Sequence, residues 1–402
     1  MRGRGVLFAV LAVLLFSAVG VLGREARKDP ETGRVRVLYI GDAWGPTPFF
    51  DISAEPSFAA TPIPATYAHT HTYNDRQLRQ FMRIYMPRTY RDLVTKYDVI
   101  ILSDTNRGLF RIDQLEMFRR AVEEEGLGIM MVGGIEAFGG DSGYPSWGNS
   151  PVEEALPVFC LSGQTYRNDF FVESKYPDDP FIKSLPWKTM PPFHGMNVVD
   201  PKEGAKILLS ARISKKYPVL VYWNFGKGAG LAHMPDWTPA WGASIMKDWT
   251  FYPDYVANMV FLCAGAMIPQ NPILMHELRT RFQGYYKQRA LAISLMEFIE
   301  TFGAKVTTVE DGLSRIGEME KEAERLYLKQ DYNGALQALK DTDKEFHRLS
   351  QEMVKLKERA LMWVYIVEWL AVSGTAMVCG VVVWMLMVRR RLYKEVEITR
   401  AT

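Results

Sequence analysis

Acidic and imidazole side chains recur in this chain just past short apolar runs. Asp42 and Trp44 follow Val35–Ile40, Asp104 and Asn106 follow Val99–Leu102, and Glu136 follows Ile129–Val132. His233 closes Gly230–His233, with Asp236, Trp237 and Trp241 just beyond it. Carboxylates and an imidazole gathered at one edge are the parts of general acid–base chemistry or of a polar-ligand site. Glu136, His233 and Asp236 are therefore the catalytic candidates. Asp42, Trp44, Asp104, Asn106, Trp237 and Trp241 are the ligand-binding candidates. The competing role for the Asp and Asn residues is to cap the loops they begin.

Other reactive patterns are thinner. His69-Thr70-His71 is the one close histidine pair, and Asp75 is its nearest carboxylate. The Pro-rich stretch Thr61–Thr72 reads as a solvated loop, so no metal is expected there. Gly139-Gly140-Asp141-Ser142-Gly143 lacks the Lys-Ser or Lys-Thr of a phosphate loop and reads as a flexible turn. Only three cysteines are present, Cys160, Cys263 and Cys379, which excludes a disulfide scaffold and a Cys-rich zinc site. No cofactor is expected.

The elements that must position these residues alternate. Val35–Ile40, Val99–Leu102 and Ile129–Val132 read as strands. Asn74 caps a helix with Leu78, Phe81, Met82 and Tyr85 on one face, and Asp113 caps a second bearing Leu115, Phe118 and Val122. Later strands fall at Ile207–Leu209, Val219–Trp223 and Gly230–His233, the last two forming a hairpin at Gly226-Lys227-Gly228. Continuous apolar strands between amphipathic helices imply an α/β domain over 35–268, with a mainly parallel sheet covered on both faces. In such sheets ligands sit beyond the carboxyl ends of the strands, where the candidate residues lie.

The ends of the chain set the address. Arg2 and Arg4 precede an apolar run from Val6 to Leu22, so residues 1–23 read as a signal peptide or an N-terminal anchor. Leu370–Val388 is uncharged over 19 residues, about 28 Å of helix, and Arg389-Arg390-Arg391 follows it. Trp363, Tyr365 and Trp369 suit the outer interface, and the arginines place the tail 389–402 in the cytoplasm. The expected topology is a cell-membrane protein with a transmembrane helix over 361–388 and its main domain extracytoplasmic. Residues 269–360 read as a helical stem or hairpin. Leu339, Phe346, Met353 and Ala360 repeat every seven residues, with Leu349, Leu356 and Trp363 in the companion position. That seam serves either packing within the chain or a homo-oligomer through 339–363. With 48 basic and 46 acidic residues in 402, the net charge of +2 gives no reason to expect nucleic acid as a partner.

Two blocks carry a family resemblance. Met131-Val132-Gly133-Gly134-Ile135-Glu136-Ala137-Phe138-Gly139-Gly140, followed by Ser150–Val158, resembles the class I glutamine amidotransferase-like proteins, membrane-anchored members included. Gly226–His233 and Asp236–Gly242 resemble the closing strand and loop of the same family. The resemblance implies a flavodoxin-like fold. It also implies, for an active member, a cysteine on a tight strand-to-helix turn, served by a histidine and a glutamate. The turn after Val132 holds no Cys, Ser or Thr before Ser142, and Asp236 is the nearest carboxylate after His233. Three readings follow. The first is a non-catalytic domain, a pseudoenzyme, that binds a small polar ligand or an envelope protein. The second is a hydrolase or transferase using Glu136, His233 and Asp236. The third is an assembly subunit acting through its helical stem and membrane span.

Overall fold

The computed structural model describes residues 26–43, 47–67, 73–141, 143–302 and 306–399. The expected leader, the candidate Trp44 and the His69/His71 pair lie outside the described residues. The chain divides into two compact units: an α/β body through Gln283 that also takes in Glu324–Leu336, and a helical unit of 284–323 and 337–402.

In chain order the strands are β1 (Val35–Gly41), β2 (Phe58–Pro64), β3 (Val99–Ser103), β4 (Gly128–Val132), β5 (Val158–Tyr166), β6 (Val172–Glu173), β7 (Met196–Pro201), β8 (Lys206–Ala211), β9 (Pro218–Phe225) and β10 (Gly228–His233). Eight of them form one sheet in the order β2-β1-β3-β4-β10-β9-β8-β6, and β5 pairs with β7 apart from it. From β2 to β10 the neighbours are parallel. Beyond β10 they alternate antiparallel. Every residue of β3 and β4 is buried, as unbroken apolar strands require when both faces of a sheet are covered. Helix Tyr252–Ala264 packs on β3, β4 and β10, and helix Ile112–Glu125 on β4 and β10. This is the flavodoxin-like α/β arrangement.

Local chemistry explains the boundaries. The Asn74 side chain accepts from the Gln77 N–H, and the Asn74 N–H donates to the Gln77 side chain, both at 3.0 Å, a reciprocal cap for helix Asp75–Tyr85. The second helix starts earlier than its sequence suggests. Arg111 is its N-cap, and Asp113 lies inside the first turn, paired with the Arg111 guanidinium. At the β9–β10 hairpin Phe225 faces Gly228, and Gly226 takes φ +55°, the left-handed backbone such two-residue turns favour. The Pro-rich stretch is only partly a loop: Thr61–Pro64 completes β2. That strand lies at the sheet edge, where the missing N–H groups of Pro62 and Pro64 break no ladder on the outer side. Gly139 is closely packed, since a Cβ there would fall 1.9 Å from the Leu161 carbonyl oxygen.

The body also claims the first turns of helix Pro272–Glu300. Buried Arg279 donates from Nε to Glu55 (2.6 Å) and from Nη1 to Asp254 (2.8 Å). Breaking such a pair leaves a charge in low dielectric and costs about 3–5 kcal/mol.

The helical unit draws on Pro272–Glu300, Thr307–Leu328 and Tyr332–Thr399. Ile299, Val309, Ile316, Phe346, Leu349 and Met353 form its core. The seven-residue seam is thus buried within the chain as far as Ala360, and Leu349 sits against Gly312, where a Cβ would approach its Cδ1 to 2.6 Å. Trp363, the last of the companion series, is 63% exposed. Helix Tyr332–Thr399 runs 68 residues, and its most apolar 18-residue window has mean hydropathy 2.1 with none of it buried. By length and composition it can cross a membrane.

Candidate functional site

Parallel strands β1, β3, β4 and β10 end side by side, so Asp42, Asp104, Glu136, His233 and Asp236 do meet at one rim. The rim is closed. Asp42, Asp104 and Asp236 are each 1% exposed, Asn106 3%, and Glu136 and His233 0%.

Hydrogen bonds fill it. Glu136 accepts from the Thr66 hydroxyl (2.6 Å) and from the Asn106 amide (2.5 Å), and its own N–H donates to Asp104 (2.7 Å). Asp104 has φ +41°, a left-handed conformation that aspartate tolerates better than most residues and that concentrates at special sites. Gly134 is required beside it, because a Cβ would fall 2.2 Å from Asp104 Oδ1. Tyr39 O–H donates to Asp42 at 2.6 Å. Asp236 accepts from the Thr238 N–H (2.7 Å) and hydroxyl (2.5 Å), a closed loop turn. Asn197, from β7, accepts from the Gly134 N–H at 2.9 Å and donates back to the Gly134 carbonyl at 3.0 Å.

The electrostatics follow from burial. Desolvation, then the neighbouring Asp236 charge, pushes the Asp42 carboxyl well above the usual carboxylate range. Asp104 is raised by burial, then by Asp236 and Glu136. Burial lowers His233 to about 3, against a small upward pull from the Pro235 backbone. Among the described residues, neither His233 ring nitrogen has a hydrogen-bond partner. Its ring lies among Phe193, Trp237 and Tyr255, with centroids 5.7, 6.2 and 5.6 Å away.

The tryptophans are inside, not on the surface that a ligand-stacking role needs. Trp237 is 1% exposed, stacks on Tyr39 and donates from its indole N–H to Ser103 at 2.7 Å. Trp241 is 8% exposed, with its ring over Gly195. A large ring following a strand end is buried whenever a facing glycine leaves room, and the sequence does not reveal which glycine faces it.

Comparison with known proteins assigns the segment. Residues 77–263 match the family model described as "Putative glutamine amidotransferase". This segment is a glutamine amidotransferase-like domain. Among solved structures, two cytoplasmic proteins, from Salmonella typhimurium and Salmonella typhimurium LT2, align over 57% of this chain and 99% of theirs, at 22% and 20% identity and TM-score 0.48 each. An exo-β-1,4-mannosidase from Opitutaceae bacterium strain TAV5 aligns over 59% of this chain and 36% of its own, at 10% identity and TM-score 0.32. No curated protein matches.

The amidotransferase-like domain keeps its described thiols off the rim. Cys263 packs at Gly128, the amino end of β4, where a Cβ would fall 2.8 Å from its Sγ. The Cys160 thiol lies beside Glu153 and Lys202, and burial followed by the Glu153 charge raises it well above the ordinary thiol range. Among the described residues no group of His, Cys, Asp and Glu is spaced to hold a metal. Sequence reasoning missed Tyr39, Thr66, Ser103 and Asn197 as rim partners. Each is an ordinary strand or loop residue, brought in from elsewhere in the chain by the sheet.

Proposed function

We propose that the amidotransferase-like domain is a non-catalytic, membrane-tethered extracytoplasmic module with respect to glutamine chemistry, recognising a small polar ligand or an envelope protein. One observation carries this reading: the carboxyl rim is solid. Amide hydrolysis of the amidotransferase type needs a thiolate above the sheet, next to a base with a free lone pair and reachable by substrate. Here Glu136 is engaged by Thr66 and Asn106, and His233 is walled in by aromatic rings. Acid–base work by Glu136, His233 and Asp236 gains no support from that geometry, because substrate would have to displace the core.

The tether rests on the exposed apolar helix. Leu370, Met377 and Trp384 stand 67%, 73% and 66% exposed, a cost that lipid removes. Arg389-Arg390-Arg391 argues for a cytoplasmic tail, and the leader at residues 1–23 argues for export of the body. The cell membrane is then the first partner. Assembly through 339–363 is the weaker reading, since Phe346, Leu349 and Met353 are already covered within the chain.

The test uses the full chain in a non-ionic detergent, incubated with glutamine. The expected result is no ammonia release above the blank. Release that disappears in Glu136→Gln and His233→Ala would overturn the reading. A reporter fused after residue 402 should be active in the cytosol only.

A further inference from the structure

A second, more accessible set of chemical groups lies beside the sealed rim, next to Phe193 and Trp241: Asp169, His194 and Ser244. His194 Nδ1 is 2.7 Å from Asp169 Oδ1, and His194 Nε2 is 2.6 Å from Ser244 Oγ. We propose that Ser244, His194 and Asp169 form a serine-hydrolase triad acting on exposed carboxylic esters.

The three residues are held by backbone, not only by their own side chains. Phe170 and Phe193 exchange N–H···O=C bonds of 3.0 and 2.9 Å, an isolated antiparallel bridge. Their rings are 2% and 1% exposed and stacked at 5.7 Å, so the bridge is fixed in the core. Asp169 and His194 are the next residues along that bridge, one on each strand, which puts the carboxylate and imidazole opposite each other. The His194 N–H donates to the Trp241 carbonyl at 2.9 Å, tying the base to the segment that leads into helix Ala243–Asp248 and Ser244. Two local hydrogen bonds on a surface would not need this support. A nucleophile, a base and an orienting carboxylate do, because catalysis depends on geometry held before substrate arrives.

The order of atoms is the working one. A proton on Nδ1 donates to Asp169, leaving the Nε2 lone pair to accept the Ser244 O–H. Ser244 Oγ attacks the ester carbonyl carbon, and Nε2 takes the Oγ proton. His194 passes that proton to the departing alkoxide as the C–O bond breaks, giving an alcohol and an acyl-serine. Water then attacks the acyl carbon, again losing a proton to Nε2, and Ser244 regains the proton as the carboxylic acid leaves. Ester and water yield acid and alcohol, with no redox partner needed. Ser244 and His194 are the catalytic residues, and Asp169 is a positioning residue.

Access sets the substrate class. The His194 and Asp169 side chains are 33% and 68% exposed, in contrast to the sealed rim. An open site of this kind takes an ester displayed on the surface of a larger molecule, and small activated esters as probes.

The experiment treats the full chain in non-ionic detergent with a fluorophosphonate probe and with p-nitrophenyl acetate. The expected result is a phosphonyl adduct mapped to Ser244 by peptide mass spectrometry, absent in Ser244→Ala and in His194→Ala. Ester turnover should fall at least about a hundredfold in both. Asp169→Asn should lower turnover and alter the acid limb of the pH profile, which a merely structural residue would not do. His194→Gln, matched in size, guards against misfolding, since it should melt like the parent and yet remain inactive. No Ser244 adduct, or ester hydrolysis that persists in Ser244→Ala, overturns the proposal. The glutamine assay of the rim is independent: ammonia release there would refute the rim reading and leave Ser244 untouched.

Discussion

Two histidines in one body have opposite surroundings. His233 ends a core strand, is fully buried, and among the described residues has no hydrogen-bond partner on either nitrogen. His194 sits on a two-residue bridge near the surface, with a carboxylate on one nitrogen and a hydroxyl on the other. The first has the address of a catalytic residue, and the second has the contacts of one. Position at a strand end says where a ligand would sit in an open sheet. Access and hydrogen bonding decide whether a proton can move.

The largest expected effect tests that contrast directly. His194→Ala should cut probe labelling of Ser244 by at least about a hundredfold, while His233→Phe should change it by less than about threefold. Labelling rates of the two variants side by side measure it, and equal losses would erase the distinction. Next comes the packing of the rim. Gly133→Ala puts a Cβ 1.9 Å from the Met234 carbonyl oxygen, so the strand ends must separate. Urea unfolding should show a loss of at least about 3 kcal/mol. If that variant is as stable as the parent, the rim is looser than described and could admit a ligand.

Glu136→Ala should cost about 2–3 kcal/mol, because it removes a buried acceptor from the Thr66 hydroxyl and the Asn106 amide. Glu136→Gln should cost less, since its carbonyl still accepts one of those bonds. The pH response of His233 comes last. Its folded pKa of about 3 lies below the unfolded 6.5, so the unfolded chain binds the extra proton as pH falls. Above pH 6.5 the residue contributes no slope. Below it, stability drops by about 1.4 kcal/mol per pH unit until the folded ring titrates. His233→Phe should remove that slope and gain roughly 2 kcal/mol relative to the parent at pH 5, read as the difference between melts at pH 7 and pH 5. Asp42 and Asp104 act in the opposite sense: their raised carboxyls lose stability as pH rises above the ordinary value of 3.8. Asp42→Asn should therefore raise the melting temperature more at neutral pH than near pH 4.

How much of this was legible differs by element. The strands Val99–Ser103 and Gly128–Val132 announce themselves as unbroken apolar runs, and Asn74 with Gln77 announces a helix start. The strand Phe58–Pro64 does not, because two prolines suggest a loop until its place at the sheet edge is known. The acidic rim was legible as a list of residues and not as a closed network. The pair Asp169 and His194 was not legible at all, since a bridge formed by Phe170 and Phe193 leaves no periodic trace.

By itself the sequence determined the alternation of strands and helices, the apolar helix near the C-terminus, and the strand ends at which acids and a histidine would meet. Those are local properties: runs, spacings and caps act over a few residues. Only the tertiary structure decided that the rim is filled, that Trp237 and Trp241 turn inward, and that a carboxylate, an imidazole and a hydroxyl from residues 169, 194 and 244 come within hydrogen-bonding distance. Burial and partnership depend on which distant segment arrives opposite a side chain, and long-range packing sets that.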